Sequence, residues 1–214
     1  MVVDALPRAS AAEAGRRLLR GGSEPLYLAS RSPRRRHLLQ MLGARFSVLE
    51  PDEDGGGPRP GETPAAYAVR QAETKALSVA ERVAEGVVLG ADTIVCLDGA
   101  VLEKPSDAGE AAAYLRRLSG RAHEVYTGIA LARVPGLGRA SAVERSRVVF
   151  ADLDESTIAD YVATKEPLDK AGAYGIQGYG ALLVAAIEGC YFNVMGLPLA
   201  RLRALFREFE TARR

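Results

Sequence analysis

The chain has 214 residues, of which 48% are hydrophobic and 26% charged, a composition typical of a globular protein rather than a disordered or fibrous one. Its 28 Lys and Arg residues nearly balance 27 Asp and Glu, and the resulting net charge of +1 argues against a protein that coats nucleic acid. No apolar run reaches the roughly 18 residues that a membrane span needs, so we expect no contact with a membrane.

The first 24 residues differ from the rest, because they are rich in Ala and Arg and end in a Gly-Gly-Ser breaker. We expect residues 1–24 to be a loosely ordered extension, with a short helix possible over 11–19, and residues 25–214 to form a single domain. The N-terminus has no apolar signal region, and two cysteines are too few for a disulfide framework. These features favour a cytoplasmic protein.

Patterns of strand and helix alternate along the body of the chain. Strands are predicted over residues 26–29, 46–49, 87–89, 93–97, 100–102, 125–134, 145–153 and 181–187. Helices are predicted over 33–42, 63–85, 155–163 and 198–209, and a further helix from a cap at Ser106 to Leu118. Asp98-Gly99 is typical of a hairpin turn. This alternation predicts an α/β domain.

The first segment that indicates chemistry is Ser30-Arg31-Ser32-Pro33-Arg34-Arg35-Arg36, which follows a strand and opens a helix. Helix N-termini favour acidic side chains, because the helix dipole is positive there. Arginines at this position are unfavourable unless an anion binds, and free N–H groups, hydroxyls and guanidinium groups together suit a phosphate chain. The alternative is a solvated basic turn.

A second segment places Asp92 between two apolar runs, in Gly90-Ala91-Asp92-Thr93. A carboxylate in an otherwise hydrophobic sheet is costly unless it binds a metal, pairs with a cation or acts as a base. The hairpin that follows brings Glu103 and Lys104 back towards Asp92, and two carboxylates with a lysine suit a divalent cation that holds phosphate oxygens. The alternative for Asp92 is a residue that closes a turn.

A third segment, residues 169–178, contains three glycines that let the backbone approach a ligand, and its Gln177 offers a donor and an acceptor to a base edge. It is not GxGxxG, and no GxxxxGK[ST] motif occurs, so neither a dinucleotide-binding fold nor a P-loop is indicated. A glycine-rich hairpin loop is the alternative. The two histidines, His37 and His123, share no metal-ligand spacing and are expected to be surface or partly buried side chains. Spacing alone places Lys75 on the surface of its helix.

Taken together, these segments resemble the Maf family of nucleoside-triphosphate pyrophosphatases. The matching stretches are LYLASRSPRRRHLLQMLG, ETKA, VVLGADTIVCLDGAVLEKP, YLRRLSGRAHEVYTGIAL, YVATKEPLDKAGAYGIQG and FNVMGLPL. The resemblance implies an elongated, curved mixed sheet with flanking helices and a deep cleft between two lobes, similar to the inosine-triphosphatase fold. It also implies a homodimer, and a divalent cation, Mg²⁺ or Mn²⁺, as cofactor.

The resemblance further implies the roles of individual residues. Asp92 falls on the family's proton acceptor, and Lys75 and Lys104 are expected to join it in catalysis. The residues expected to bind the nucleoside triphosphate are Ser30, Ser32, Arg34, Arg35, Thr93, Lys170 and Gln177. Metal ligands are expected from Asp92 and Glu103 and from an acidic loop, where Gly55 stands at the position of the family's Glu, so that Glu53 or Asp54 takes its place.

Three positions, Arg34, Thr93 and Gln177, are similar to those of the branch that hydrolyses dTTP and UTP to the monophosphate and pyrophosphate. This activity would keep non-standard nucleotides out of nucleic acids. The alternatives are a pyrophosphatase for a modified purine such as 7-methyl-GTP, and a non-catalytic nucleotide-binding regulator of septum formation. An acidic residue at position 177 or an aromatic residue at position 34 would have favoured the modified purine.

Overall fold

The computed structural model describes residues 13, 15, 17, 19, 23–52, 55–136 and 138–211. This part of the chain forms a seven-stranded sheet in the order β2-β1-β3-β5-β6-β7, and β4 pairs with β3 outside that path. The strands are β1 Leu26–Ala29, β2 Ser47–Leu49, β3 Gly86–Leu97, β4 Ala100–Leu102, β5 Ala122–Val134, β6 Arg139–Phe150 and β7 Val184–Glu188.

The sheet is mixed. Strand β1 runs parallel to β2 and to β3, and the other pairs are antiparallel. Parallel neighbours need a crossover, and a helix supplies it in each of the two β–α–β connections. The predicted hairpin turn is confirmed, because Asp98 and Gly99 have φ angles of 51° and 81° and connect β3 to β4.

Six α-helices of the described chain flank the sheet. They are α1 Pro33–Met41, α2 Pro64–Ala80, α3 Ala108–Leu118, α4 Glu155–Ala163, α5 Tyr191–Met195 and α6 Leu199–Thr211. Short 3₁₀ turns occupy Glu166–Asp169, Ala171–Ala173 and Gly178–Leu183. A mixed sheet with flanking helices confirms the predicted α/β class. No helix in the described residues is long and apolar enough to cross a membrane.

Strand β3 has different partners along one edge. Strand β1 pairs with it as far as Gly90, and β4 pairs with it from Val95 onward. On the opposite edge, β5 pairs with β3 from Gly86 to Cys96. Asp92 and Thr93 therefore lie where β1 has ended and β4 has not begun. Ligands of α/β sheets commonly bind at such strand ends.

Helix α2 lies unusually close to the sheet. A Cβ atom added at Gly90 would overlap the carbonyl oxygen of Ala72, and one added at Gly128 would overlap that of Ala68. Both alanines are fully buried. Glycine on the strands and alanine on the helix thus allow a close approach, which determines where the polar side chains of α2 lie.

The two ends of the sheet carry separate hydrophobic clusters. One contains Leu38 and Leu39 of α1 with Phe206 of α6. The other contains Leu115 of α3 with Ile158 of α4. A third cluster, with Ala72 and Ala76 of α2, covers the opposite face at Val88 and Ala130. Burial of side chains on both sides of the sheet is the main source of stability for such an architecture.

Within the extension, the described residues Glu13, Gly15, Arg17 and Leu19 are helical. Leu19 is 4% exposed and belongs to the same cluster as Leu38. This residue is therefore packed in the core rather than loosely attached. The division of the chain at residue 24 stays a prediction.

Several predicted boundaries were wrong. The sequence pattern predicts two strands around Gly90, whereas β3 is one continuous strand because β5 pairs along its whole length. Asp107 caps α3, and Ser106 instead bonds the Glu110 carboxylate. The strand predicted over 181–187 begins with a 3₁₀ turn, and the short helix α5 was not predicted.

Candidate active site

Two hydrogen-bonded serines, Ser30 and Ser32, precede α1. Ser32 caps the helix, since its Oγ accepts from the Arg35 amide at 3.5 Å, and Pro33 occupies the first helical position. Ser30 is buried, and its Oγ accepts from the Ser32 amide at 3.1 Å. The capping pattern predicted for this segment is confirmed.

The Arg35 guanidinium is buried behind this turn. Its Nε donates to the Gly196 carbonyl at 2.8 Å, its Nη1 to Ser30 Oγ at 3.2 Å and its Nη2 to Thr93 Oγ1 at 3.0 Å. Burial lowers the pKa of Arg35, and the negative charge of Asp92 opposes that effect. The guanidinium thus connects α1, β3 and the end of α5 in one place.

Asp92 is held by an ion pair. Lys75 Nζ lies 2.6 Å from Asp92 Oδ1, and the two side chains are 14% and 19% exposed. Lys75 is on α2, one turn beyond Gln71, and reaches β3 because the helix approaches the strand at Gly90. A pair this close and this poorly hydrated is much stronger than an exposed one.

The β3–β4 hairpin brings Glu103 and Lys104 next to Asp92. Tyr67 donates its hydroxyl proton to Glu103 Oε1 at 2.9 Å. The pKa of Tyr67 is raised to about 12, mainly by burial and also by the Glu103 charge, so the hydroxyl remains a donor. Glu103 is thereby fixed on one side of the strand end.

The loop at 55–57 is bound to α2. Arg70 contacts the carbonyl oxygens of Gly55 and Gly57 and both carboxylate oxygens of Glu62. The hydrogen bond from Arg70 lowers the pKa of Glu62 to about 2. Gln71 Nε2 donates to the Gly56 carbonyl at 2.8 Å.

The segment from residue 166 to 176 forms the opposite wall. Lys170 Nζ donates to the Glu166 carbonyl and to Asp169 Oδ1, both at 2.6 Å. The Tyr174 hydroxyl lies 2.7 Å from Nε2 of the buried His123. Burial lowers the pKa of His123 to about 4 and raises that of Tyr174, so this pair is neutral.

Between these walls lies a cavity of about 300 Å³, here called the arginine cavity. Its charged lining residues are Arg31, Arg34, Arg35, Lys75, Lys104, Lys170, Asp92 and Asp169. Its less polar wall includes Val125, Tyr174, Ile176, Val194, Met195 and Gly196. A large excess of positive charge beside an apolar wall suits a ligand with a polyphosphate chain and an uncharged ring.

A second cavity of about 240 Å³, here called the glutamate cavity, lies on the other side of Asp92. It is lined by Tyr67, Gln71, Glu103 and the backbone at Gly56 and Gly57. The residues that both cavities share are Lys75, Asp92, Thr93, Lys104 and Ala171. The boundary between the cavities is therefore formed by one carboxylate and two lysines, together with Thr93 and Ala171.

The family model described as Maf-like protein matches residues 25–209, most of the chain. The chain belongs to the Maf family. The dTTP/UTP pyrophosphatase of Carboxydothermus hydrogenoformans is 48% identical over 186 residues, which are 86% of this chain and 98% of that protein. The dTTP/UTP pyrophosphatase of Clostridioides difficile is 47% identical over 184 residues, 86% of this chain and 94% of that protein.

Among solved structures, the Staphylococcus aureus Ham1 protein is 15% identical to this Maf protein. The match covers 60% of this chain and 73% of that chain, with a TM-score of 0.44, which is too low to bear on fold or function.

The structure brings most of the sequence-predicted residues of this Maf protein together. The predicted residues that line the arginine cavity are Ser30, Ser32, Arg34, Arg35, Lys75, Asp92, Thr93, Lys104 and Lys170. Glu103 lines the glutamate cavity. Gln177 is half-buried and is not among the described residues that line either cavity. Glu53 and Asp54 lie outside the described residues.

Two expectations drawn from spacing alone were wrong. Lys75 is largely buried against Asp92 rather than at the surface, because Gly90 lets α2 approach the strand. His123 is 2% exposed and bonded to Tyr174, whereas the lack of ligand spacing predicts a surface or partly buried side chain. His37 is exposed.

Three functional neighbours were not singled out from the sequence: Tyr67, Gln71 and Tyr174. Tyr67 and Gln71 lie one turn apart on α2, and the turn after them contains Lys75. This i, i+4, i+8 stripe on one helix face was the available signal. Tyr174 lies within the glycine-rich segment, where an aromatic residue among glycines could have indicated a fixed contact.

Proposed function

We propose that this Maf protein hydrolyses nucleoside triphosphates, dTTP and UTP in particular, to the monophosphate and pyrophosphate. The observation that carries the proposal is the Lys75–Asp92 ion pair, which lies at the edge of a cavity whose charged lining residues are mostly cations. The relatives named dTTP/UTP pyrophosphatase support the choice of substrate. The matched regions cover 98% and 94% of the lengths of these two relatives.

In this mechanism the triphosphate occupies the arginine cavity. Arg34 and Lys170 face it from opposite walls, and Lys75 and Lys104 face it at the boundary with the glutamate cavity. Positioning and neutralisation of charge are the main demands of phosphoryl chemistry, and cations already in place meet them with little reorganisation.

Asp92 takes the proton from the attacking water. The oxygen of that water forms a bond to the α-phosphorus, the bond from the α-phosphorus to the bridging oxygen breaks, and pyrophosphate leaves. Lys75 holds one carboxylate oxygen of Asp92 and so orients the other towards the water. Loss of such a base typically costs between about 10² and 10⁴ in rate.

The site also fits a divalent cation. Asp92 and Glu103 line the same cavity, and Mg²⁺ is commonly bound by one or two carboxylates together with substrate phosphates. Among the described residues no group of three or more His, Cys, Asp or Glu side chains is arranged around a metal position. When bound, the cation supplies positive charge to the phosphate oxygens. Mg²⁺ or Mn²⁺ is proposed, and ligands from the loop of Glu53 and Asp54 stay a prediction.

We assign selection of the pyrimidine base to Arg34, Thr93 and Gln177. Arg34 and Thr93 line the arginine cavity, and Gln177, which does not line it, directly follows the lining residue Ile176. Uracil and thymine share their O4/N3 edge, which an amide such as that of Gln177 can bond, and they differ by one methyl group. A methyl difference discriminates by only about 1–3 kcal/mol, so both pyrimidines are accepted. A homodimer and a cytoplasmic location stay predictions.

The test is pyrophosphate release with Mg²⁺ from a panel of canonical and modified nucleoside triphosphates, with Asp92→Asn as the matched variant. Turnover of dTTP and UTP that is lost in Asp92→Asn supports the proposal. Turnover confined to a modified purine would show that Arg34, Thr93 and Gln177 do not select pyrimidines. Nucleotide binding without turnover would point to a regulator.

A further inference from the structure

A closed ring of hydrogen bonds lies behind the arginine cavity. Arg35 Nη2 donates to Thr93 Oγ1 at 3.0 Å, and Thr93 Oγ1 lies 3.0 Å from Thr127 Oγ1. Thr127 Oγ1 donates to the Asn193 carbonyl at 2.9 Å. The Gly196 amide donates to the same Asn193 carbonyl at 2.9 Å, and the Gly196 carbonyl accepts from Arg35 Nε. The ring therefore returns to Arg35.

The number of hydroxyl protons determines which group donates in each hydrogen bond of the ring. A threonine hydroxyl has one proton, and that of Thr127 goes to the Asn193 carbonyl. In the bond between the two threonines Thr93 must therefore be the donor, which leaves its oxygen to accept from Arg35. The Thr93 hydroxyl proton is thus used inside the protein, so any contact of Thr93 with a base in the arginine cavity comes from its other atoms.

The ring connects four elements that surround the site. Arg35 belongs to α1, Thr93 to β3, Thr127 to β5 and Asn193 to α5. At Gly196, which follows α5, the backbone has φ of 107°, and an added Cβ would lie 3.2 Å from Thr93 Oγ1. The positive φ and the close approach both favour glycine at this position.

Thr127 cannot act by contact with the substrate. Its exposed fraction is 0%, and it is not among the residues that line either cavity. Both of its partners are placed near the reaction: Thr93 follows Asp92 directly, and Asn193 precedes the cavity residue Val194. A buried hydroxyl with two bonded partners in such a position fixes geometry rather than chemistry.

We propose that Thr127 is a positioning residue of the hydrolytic site. Through Thr93 it fixes the Arg35 guanidinium and the strand at Asp92, and through the Asn193 carbonyl it fixes the cavity wall at Gly196. The inference rests on the proposed function. Because small displacements of reacting groups can cost up to about 10²-fold in rate, loss of this hydroxyl acts on kcat more than on KM.

The test compares Thr127→Val, which keeps the shape and removes the hydroxyl, with Thr127→Ser, which keeps the hydroxyl. At equal concentrations of folded protein, Thr127→Val is expected to lower kcat for dTTP or UTP between about 10- and 100-fold, with KM changed less than about threefold. Thr127→Ser is expected to restore kcat to within about threefold of wild type. Ile129→Val, two residues along the same buried face of β5, is the control for a purely structural change and is expected to leave both constants unchanged.

A double-mutant cycle with Thr93→Val adds a second test. If the two hydroxyls act as one chain, the double variant loses about as much kcat as the more affected single variant. Losses that multiply would show that the Thr93 hydroxyl acts independently of Thr127, and would overturn the link through Thr127.

The outcomes separate the inference from the function on which it rests. Wild-type turnover with an unchanged kcat in Thr127→Val overturns the inference alone. Absence of turnover in wild type overturns the proposed function and the inference with it. If Thr127→Val does not fold, Thr127→Ala replaces it. An unchanged kcat in Thr127→Ala would overturn the inference in the same way.

Discussion

The two cavities that meet at Asp92 differ in charge and in how their walls are fixed. The arginine cavity has a strong excess of cations, and Arg35 and Thr93 are held there by buried hydrogen bonds. The glutamate cavity balances Asp92 and Glu103 against two lysines. Its backbone wall is fixed by side chains of α2, such as Gln71 at Gly56.

This difference suits the two cavities to different ligands. A fixed cationic wall can receive a triphosphate without rearrangement, because its charges are already oriented. The glutamate cavity has balanced charges and a carboxylate bonded to Tyr67, so it attracts a polyphosphate chain less strongly. It suits a cation or a water molecule better. In the proposed mechanism Asp92, which lies on the boundary, acts on a water beside a phosphate in the arginine cavity.

The largest expected effect concerns the two lysines at the boundary. Lys75→Met removes the partner of Asp92, and we expect kcat to fall by about 10²–10³-fold, the range found when a preorganised electrostatic donor is lost. Lys104 is exposed and less constrained, so Lys104→Met should cost about tenfold less. Steady-state kinetics with dTTP measures both. An equal or larger loss for Lys104→Met would contradict the view that the buried pair is the centre of the site.

A smaller effect concerns His123, which supports the arginine cavity through Tyr174. The unfolded histidine titrates near pH 6.5, whereas the folded one stays neutral down to about pH 4, so the unfolded state binds more protons between these values. Stability should therefore fall as the pH drops from 6.5 to 4, by about 3 kcal/mol in all.

Urea unfolding at pH 7 and at pH 5 measures this effect. The pH dependence of the free energy of unfolding should be weaker in His123→Gln than in wild type, because the buried titrating group is gone. His37→Gln is the control, since His37 is exposed, and it should keep the wild-type dependence. An equal dependence in His123→Gln and wild type would disprove the assignment.

The close approach of α2 gives a matched pair of glycine variants. Gly90→Ala places a Cβ against Ala72 and Ala76, and we expect a loss of about 1–3 kcal/mol in the free energy of unfolding, as for other overpacked sites. Gly57→Ala, in the wall of the glutamate cavity, meets open space and should change stability by less than about 0.5 kcal/mol. Thermal denaturation of both variants is the measurement. Similar losses in the two would show that contact at Gly90 does not determine the helix position.

The smallest effect tests the glutamate cavity itself. Glu103→Gln keeps the size of the side chain and removes its charge, so the Mg²⁺ concentration for half-maximal activity should rise about tenfold, equivalent to roughly 1.4 kcal/mol. Activity at saturating Mg²⁺ should change less. Glu73→Gln, on the exposed face of α2, is the control. An unchanged Mg²⁺ dependence in Glu103→Gln would remove this residue from the cation site.

Local patterns predicted much of the fold. The Ser32-Pro33 start of α1 and the Asp98-Gly99 turn were found correctly, because capping and turn preferences depend on a few neighbouring residues. Strand β3 was divided wrongly at Gly90, since glycine usually interrupts a strand and only the pairing with β5 shows that it continues. The start of the last predicted strand is a 3₁₀ turn in which Glu166 bonds the Tyr179 and Gly180 amides, a contact distant in sequence.

The sequence by itself determined the chemical types at the site: the serines and arginines at the start of α1, the carboxylate of Asp92 in an apolar sheet, and the Glu103-Lys104 pair after a hairpin. Only the tertiary structure decided that Lys75 is paired with Asp92, that His123 is buried, and that Thr127 completes a ring behind the cavity. The physical reason is that these contacts join residues far apart in the chain. The Lys75–Asp92 pair also depends on how closely α2 can approach β3, which Gly90 and Gly128 permit and which no local propensity encodes.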